Sequence, residues 1–140
     1  MAWLAILLVI AGNVIYHLGQ RAIPRDADPV VATLAAYLVA IVVTLVTVPF
    51  LAAEGAVRGG WRALNASTLA VGAGIVAIEL GFLLAYRAGW RLSTASITAN
   101  ATVALVLVGV GAVVYREALT PGRLTGIGLC VVGLWLVTRT

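Results

Sequence analysis

The sequence predicts an all-α fold, a polytopic membrane helix bundle of five transmembrane helices, on three observations. Of 140 residues, 63% are hydrophobic and 10% are charged, whereas soluble domains run at about 45 to 50% and about 25%. The apolar residues fall into five runs of 17 to 24 residues, the length a helix needs to cross a hydrocarbon core at about 1.5 Å per residue. The arginines all sit at the edges of those runs. Residues 1–140 therefore read as one five-helix transmembrane domain.

The first run, Ala2 to Gln20, has no basic stretch ahead of it. No small-residue cleavage site separates Trp3 to Ile15 from the polar helical stretch that follows, so a retained helix is expected rather than a cleaved signal. Its second half places Asn13, Tyr16, His17 and Gln20 at i, i+3, i+4 and i+7, four hydrogen-bonding groups on one face. His17 has two readings there, a proton relay or ligand contact and a headgroup contact near a helix end.

The second run, Val30 to Ala53, is opened by Asp28-Pro29, a capping side chain before a proline suited to the first helical position. It carries Thr33, Tyr37, Thr44 and Thr47 at comparable spacing. The third, Ser67 to Ala88, has Ser67 as its expected cap. One side of it repeats small residues, Ala70, Gly74, Ala77, Gly81, Ala85 and Ala88, and the other holds Gly72, Ile75, Glu79, Phe82 and Tyr86. The small side is expected to form a close-packed seam, leaving Glu79 to face a cavity.

The fourth run, Ser93 to Tyr115, has Ser93 as its expected cap and carries Ser96 and Asn100, with Gly109 and Gly111 further on. For Asn13 and Asn100 the alternative to ligand binding is hydrogen-bonded glue between helices. Thr120-Pro121 opens the fifth run, Gly122 to Thr138, whose Gly122, Gly126, Cys130 and Gly133 form a small-residue stripe. That stripe permits close backbone approach within one protomer or between two. The single cysteine excludes an intrachain disulfide and a cysteine-based metal site. Glu117, with Arg116 and Arg123 nearby, is expected to complement the positive start of the fifth helix.

The loops, Arg21 to Pro29, Glu54 to Ala66, Gly89 to Leu92 and Arg116 to Pro121, are too short to hold a second domain, so any chemistry belongs to the spans. With five spans the termini lie on opposite faces. Arg58, Arg62, Arg116 and Arg123 then share the N-terminal face, and Arg21, Arg25, Arg87, Arg91 and Arg139 share the other. Four against five gives the insertion machinery almost no instruction, so both orientations are expected; the alternative is one topology set by charges near the first helix. The net charge of +4 comes from arginine alone, and no arginine cluster is arranged to track nucleic acid, so no nucleic-acid partner is expected. No cofactor is expected. The sequence has no nucleophile–base pair, metal cluster or phosphate loop, which argues against an enzyme.

Glu79 is the strongest single signal. It lies near the centre of the third span, where burying a carboxylate costs about 2.5 to 3.5 kcal/mol, and no basic residue stands three or four positions away. Asn13, Tyr16, His17, Tyr37, Tyr86 and Asn100 fall in the same half of the membrane on this topology, as does Ser96. A funnel opening on the face opposite the N-terminus is expected from them, with Glu79 as the proton- or cation-binding group. The alternative for Glu79 is a protonated structural residue bonded to a neighbouring helix.

Glu117-Ala-Leu-Thr120, then Gly126 nine residues after the glutamate and Gly133 seven further on, resemble the end of an EamA repeat of the drug/metabolite transporter superfamily. The five-helix layout and the proline opening the second helix resemble it too. The resemblance implies transport of a small organic molecule by alternating access between two inverted repeats in the cell (inner) membrane. This chain has one repeat. It also runs Asn100-Ala-Thr-Val-Ala104 where that family's fourth helix commonly carries a proline. A single repeat inserted both ways supplies the inverted pair by forming an antiparallel homodimer in the lipid bilayer. The expected function is therefore secondary transport of a small organic metabolite or cation, proton-coupled through Glu79. The alternatives are a heteromeric flippase subunit for a lipid-linked sugar and a non-transporting membrane scaffold.

Overall fold

In the computed structural model, residues 2–52, 55 and 59–139 are described. Ala53, Glu54 and Arg58, expected to close the second span, open its loop and charge the N-terminal face, lie outside the described residues. Five helices account for nearly all of the rest: α1 (Ala2–Ala22), α2 (Pro29–Leu51), α3 (Ala66–Arg87), α4 (Leu92–Val113) and α5 (Pro121–Thr138), with a 3-10 turn at Gly60–Ala63. No strand occurs among the described residues. Each α-helix is long and apolar enough to cross a membrane, and at most 11% of any span is buried. The chain is a multi-pass membrane protein.

Capping chemistry sets the helix starts. Asp28 Oδ1 accepts from the Val30 and Val31 amides at 2.9 and 3.0 Å, with Pro29 in the first turn of α2. Thr120 Oγ1 accepts from the Arg123 amide at 3.3 Å, with Pro121 opening α5. The two serine caps are corrected. Asn65, not Ser67, caps α3, its Oδ1 accepting from the Ser67 amide at 2.9 Å. α4 begins at Leu92 with Arg91 ahead of it and no side-chain cap, so Ser93 already lies inside the helix. Pro49 is accommodated near the end of α2, where only two helical residues follow it.

The described residues form two compact units, residues 19–88 and residues 1–18 with 89–140. In the first of these, α2 packs against α3. The covered face of α3 is the one that carries Glu79, Phe82, Leu83 and Tyr86; Leu83 is 1% exposed and Tyr86 2%. The opposite face does not form the expected seam inside the chain. Ala70, Gly74, Ala77, Gly81 and Ala88 are exposed and Ala85 is half-buried, and a Cβ added at Gly74 or Gly81 would meet nothing within 4 Å. At one end of this unit two arginines tie separate segments together: Arg21 donates to the Tyr86 carbonyl at 3.0 Å, and Arg87 donates to the Pro24 and Ala27 carbonyls.

In the other unit α4 packs against α5, and the half-buried residues of α5 are Ile127, Leu134 and Val137. The stripe Gly122, Gly126, Cys130 and Gly133 is exposed, with nothing within 4 Å of a Cβ at any of its three glycines. This stripe therefore makes no seam within the protomer among the described residues. Gly111 differs, since a Cβ there would stand 3.2 Å from the Glu117 carboxyl group. The loop folds Glu117 back onto the end of α4, its amide donating to the Gly111 carbonyl at 2.9 Å. Arg116 makes that reversal in the left-handed region at φ 54°. Near the end of α5, the Arg139 guanidinium lies 3.8 Å from the Trp135 ring centroid, an amphipathic pairing suited to the headgroup layer.

Candidate functional site

Glu79 projects from α3 about 4 Å along the axis from the helix midpoint. It faces a cavity of about 690 Å³ between α2 and α3, lined by Tyr37, Ala40 and Thr44 on one side and Gly72, Ile75 and Glu79 on the other. Glu79 is the only charged residue in that lining. The Gln20 amide, at the end of α1, donates a hydrogen bond to the Glu79 carboxylate. No arginine pairs with it, since the one ion pair among the described residues joins Arg123 to Glu117. A carboxylate held by a neutral donor keeps its charge uncompensated, so it can take up a proton or a cationic group without first losing an ion pair.

Tyr37 brings a second polar group to the same cavity, and its hydroxyl is buried with no hydrogen-bond partner among the described residues. Thr44 and Thr47 contribute less. Thr44 donates back to the Ala40 carbonyl at 2.8 Å and Thr47 to the Thr44 carbonyl at 2.7 Å. Their hydroxyl protons are therefore spent on the helix itself.

Asn13, His17 and Asn100 lie together elsewhere, lining a cavity of about 450 Å³ with Leu92 and Ser96 between α1 and α4. His17 is buried, and Tyr16 stands edge-on to it with ring centroids 5.1 Å apart and planes at 70°. Ser96 donates to the Ser93 carbonyl at 3.2 Å. The Asn13 and Asn100 amides are exposed and make no hydrogen bond among the described residues. Both lie within about 4 Å of the midpoints of their helices. An amide left unpaired in hydrocarbon costs several kcal/mol, so this face requires water, ligand or another protein surface.

Tyr86 occupies a third place. Its ring stacks on Phe82 at 6.0 Å and 28°, and it lines a small pocket with Gln20, Arg21 and Arg87 rather than the cavity that holds Glu79. The seven residues singled out from the sequence are thus distributed among the α2–α3 cavity, the α1–α4 cavity and the ends of α1 and α3. Gln20 belonged to the polar stripe of α1, but its bond to a residue 59 positions away had no signature in spacing. At the start of α5, Glu117 accepts from Arg123 at 3.2 Å, both side chains being 55% exposed. That pair shares a cavity of about 320 Å³ with Ala104, Leu107 and Ile127. Comparison of the chain with protein-family models, curated proteins and solved structures finds no match.

Proposed function

We propose that this chain is a secondary transporter of a small organic metabolite or cation, coupled to protons through Glu79 and working as an antiparallel, dual-topology homodimer in the inner membrane. One observation carries the reading: a carboxylate near the middle of a membrane span opens on a roomy, mostly apolar cavity and is held by a neutral amide. A site of that kind binds either a proton or a cationic substrate but not both, and this competition couples the two fluxes. Gln20 orients the carboxylate, and Tyr37 offers a hydroxyl to the same occupant. The apolar walls favour a substrate with hydrocarbon surface around its charged group.

The second copy is supported by groups the single chain leaves unmet. The exposed Asn13 and Asn100 amides and the uncovered small faces of α3 and α5 suit another protein surface better than lipid tails. The near-even arginine count allows that copy to insert upside down, which is how one EamA-type repeat would supply the inverted pair its relatives carry in one chain. The test is uptake into proteoliposomes under an imposed pH gradient. Proton-driven flux that Glu79→Gln abolishes, with folding and dimerisation intact, supports the reading. Absence of flux with every organic cation and metabolite class tried would favour a scaffold, and flux of a lipid-linked sugar only with a second protein would favour the flippase subunit.

A further inference from the structure

A cluster of cations in residues 19–88 stands apart from the Glu79 cavity. Arg21, Arg25 and Arg87 line a pocket of about 20 Å³ together with Gln20, Leu83 and Tyr86. α1 ends at Ala22 and α3 at Arg87, so the pocket sits at the termini of two membrane-length helices, the depth at which lipid headgroups lie.

Two of the three guanidinium groups are held in place by the backbone. Arg21 is fixed through the Tyr86 carbonyl and Arg87 through the Pro24 and Ala27 carbonyls. The Arg21 bond stabilises the negative end of α3 and the Arg87 bonds fix the loop after α1, but none neutralises an arginine, since a carbonyl carries only a partial charge. No carboxylate does so either. The one ion pair among the described residues is elsewhere, and Asp28 in the adjoining loop spends Oδ1 on capping α2. The Nε of Arg87 is buried with no acceptor among the described residues. Three cations thus converge with donors to spare, and the two carboxylates of the adjoining loop, Asp26 and Asp28, form no ion pair with them among the described residues.

The size of the pocket limits what can answer them. A volume of about 20 Å³ admits one water-sized group, far below the several hundred Å³ of a site that encloses an organic substrate. The matching ligand is a single oxyanion presented from outside, and the planar donor forks of arginine suit phosphate oxygens. We propose that Arg21, Arg25 and Arg87 bind the phosphate of an anionic phospholipid headgroup, one oxygen entering the pocket. The net positive charge left by three arginines against two unpaired aspartates favours a lipid without an ammonium group of its own. This assignment does not depend on the transport reading.

Arg25 is the residue to vary, because its side chain makes no hydrogen bond among the described residues and its loss leaves both backbone ties in place. Delipidated, detergent-purified full-length protein is titrated with phosphatidylglycerol, phosphatidylcholine and inorganic phosphate, read by native mass spectrometry and thermal shift. Phosphatidylglycerol should remain bound and raise the Tm where phosphatidylcholine does not. Arg25→Gln should weaken the phosphatidylglycerol adduct about fivefold, the effect of one arginine at an anionic surface, with the lipid-free Tm unchanged. Arg62→Gln, remote in sequence and on the opposite face by topology, should leave binding as in the parent. Equal retention of the two lipids, or equal effects of the two substitutions, overturns the proposal. Binding of inorganic phosphate at the affinity of the lipid overturns the headgroup assignment and gives the site to a soluble phosphate.

Discussion

Replacing Glu79 by leucine should make the protein insert better and work worse. On insertion scales a carboxylate at mid-span costs about 2.5 to 3.5 kcal/mol, while leucine gains about 0.3 to 0.6 kcal/mol. In the folded protein the substitution also removes the bond from Gln20, which contributes about 1.5 to 3 kcal/mol to a charged acceptor. For the α3 segment alone, which lacks Gln20, the gain is about 2.8 to 4.1 kcal/mol, the sum of the two insertion terms. A glycosylation reporter flanking the isolated α3 segment should therefore show more spanning product for Glu79→Leu than for the parent. Glu79→Gln keeps an acceptor for Gln20, so its fold should stay within about 1 kcal/mol of the parent in a denaturant titration. Both variants should lose uptake driven by a pH gradient in proteoliposomes, whereas Glu79→Asp should retain part of it with an altered pH profile. Undiminished gradient-driven uptake by either Gln or Leu variant would refute a coupling role. A parent that inserts and folds better than Glu79→Leu would show instead that the carboxylate serves the fold.

Other expectations can be checked with single variants or reporter fusions. C-terminal reporter fusions should give both cytoplasmic and external populations, and two lysines added to the loops of one face should collapse them to one. Gly126→Leu fills the open face of α5 and should reduce chemical crosslinking to a second copy while expression persists; crosslinking at the parental level would place the interface elsewhere. Asp28→Ala removes the acceptor for two α2 amides and should cost about 1 kcal/mol in a denaturant titration.

The parts of the fold legible in the sequence were those governed by the bilayer and by local chemistry. Run length and hydrophobicity located five helices, and the Asp28-Pro29 and Thr120-Pro121 pairs located two helix starts, because a capping side chain acts over only two or three residues. Ser67 and Ser93 misled because one residue type does not fix the first residue of a helix: Asn65, an equally good cap, stands two positions before Ser67, and α4 starts at Leu92 with no side-chain cap. Helical spacing correctly separated Glu79 from the small face of α3. Spacing could not say that the small face would be left uncovered by the rest of the chain. Nor could it pair Gln20 with Glu79 or Arg21 with the Tyr86 carbonyl, since such contacts depend on how whole helices meet.

The arginine ties at the ends of α1 and α3 make a mechanical arrangement of the second and third helices. The start of α2 and the end of α3 are pinned to the same short loop, whereas Pro49 interrupts the amide ladder near the far end of α2. A hinge with its pin at Asp28 turns small rotations into graded displacements. Tilting α2 by about 5° about that pin moves Tyr37, about 14 Å away, by about 1 Å, and Leu45, about 25 Å away, by about 2 Å. The cavity would then widen least beside Tyr37 and most towards Leu45, so the hydroxyl nearest the fulcrum would keep its register with the carboxylate.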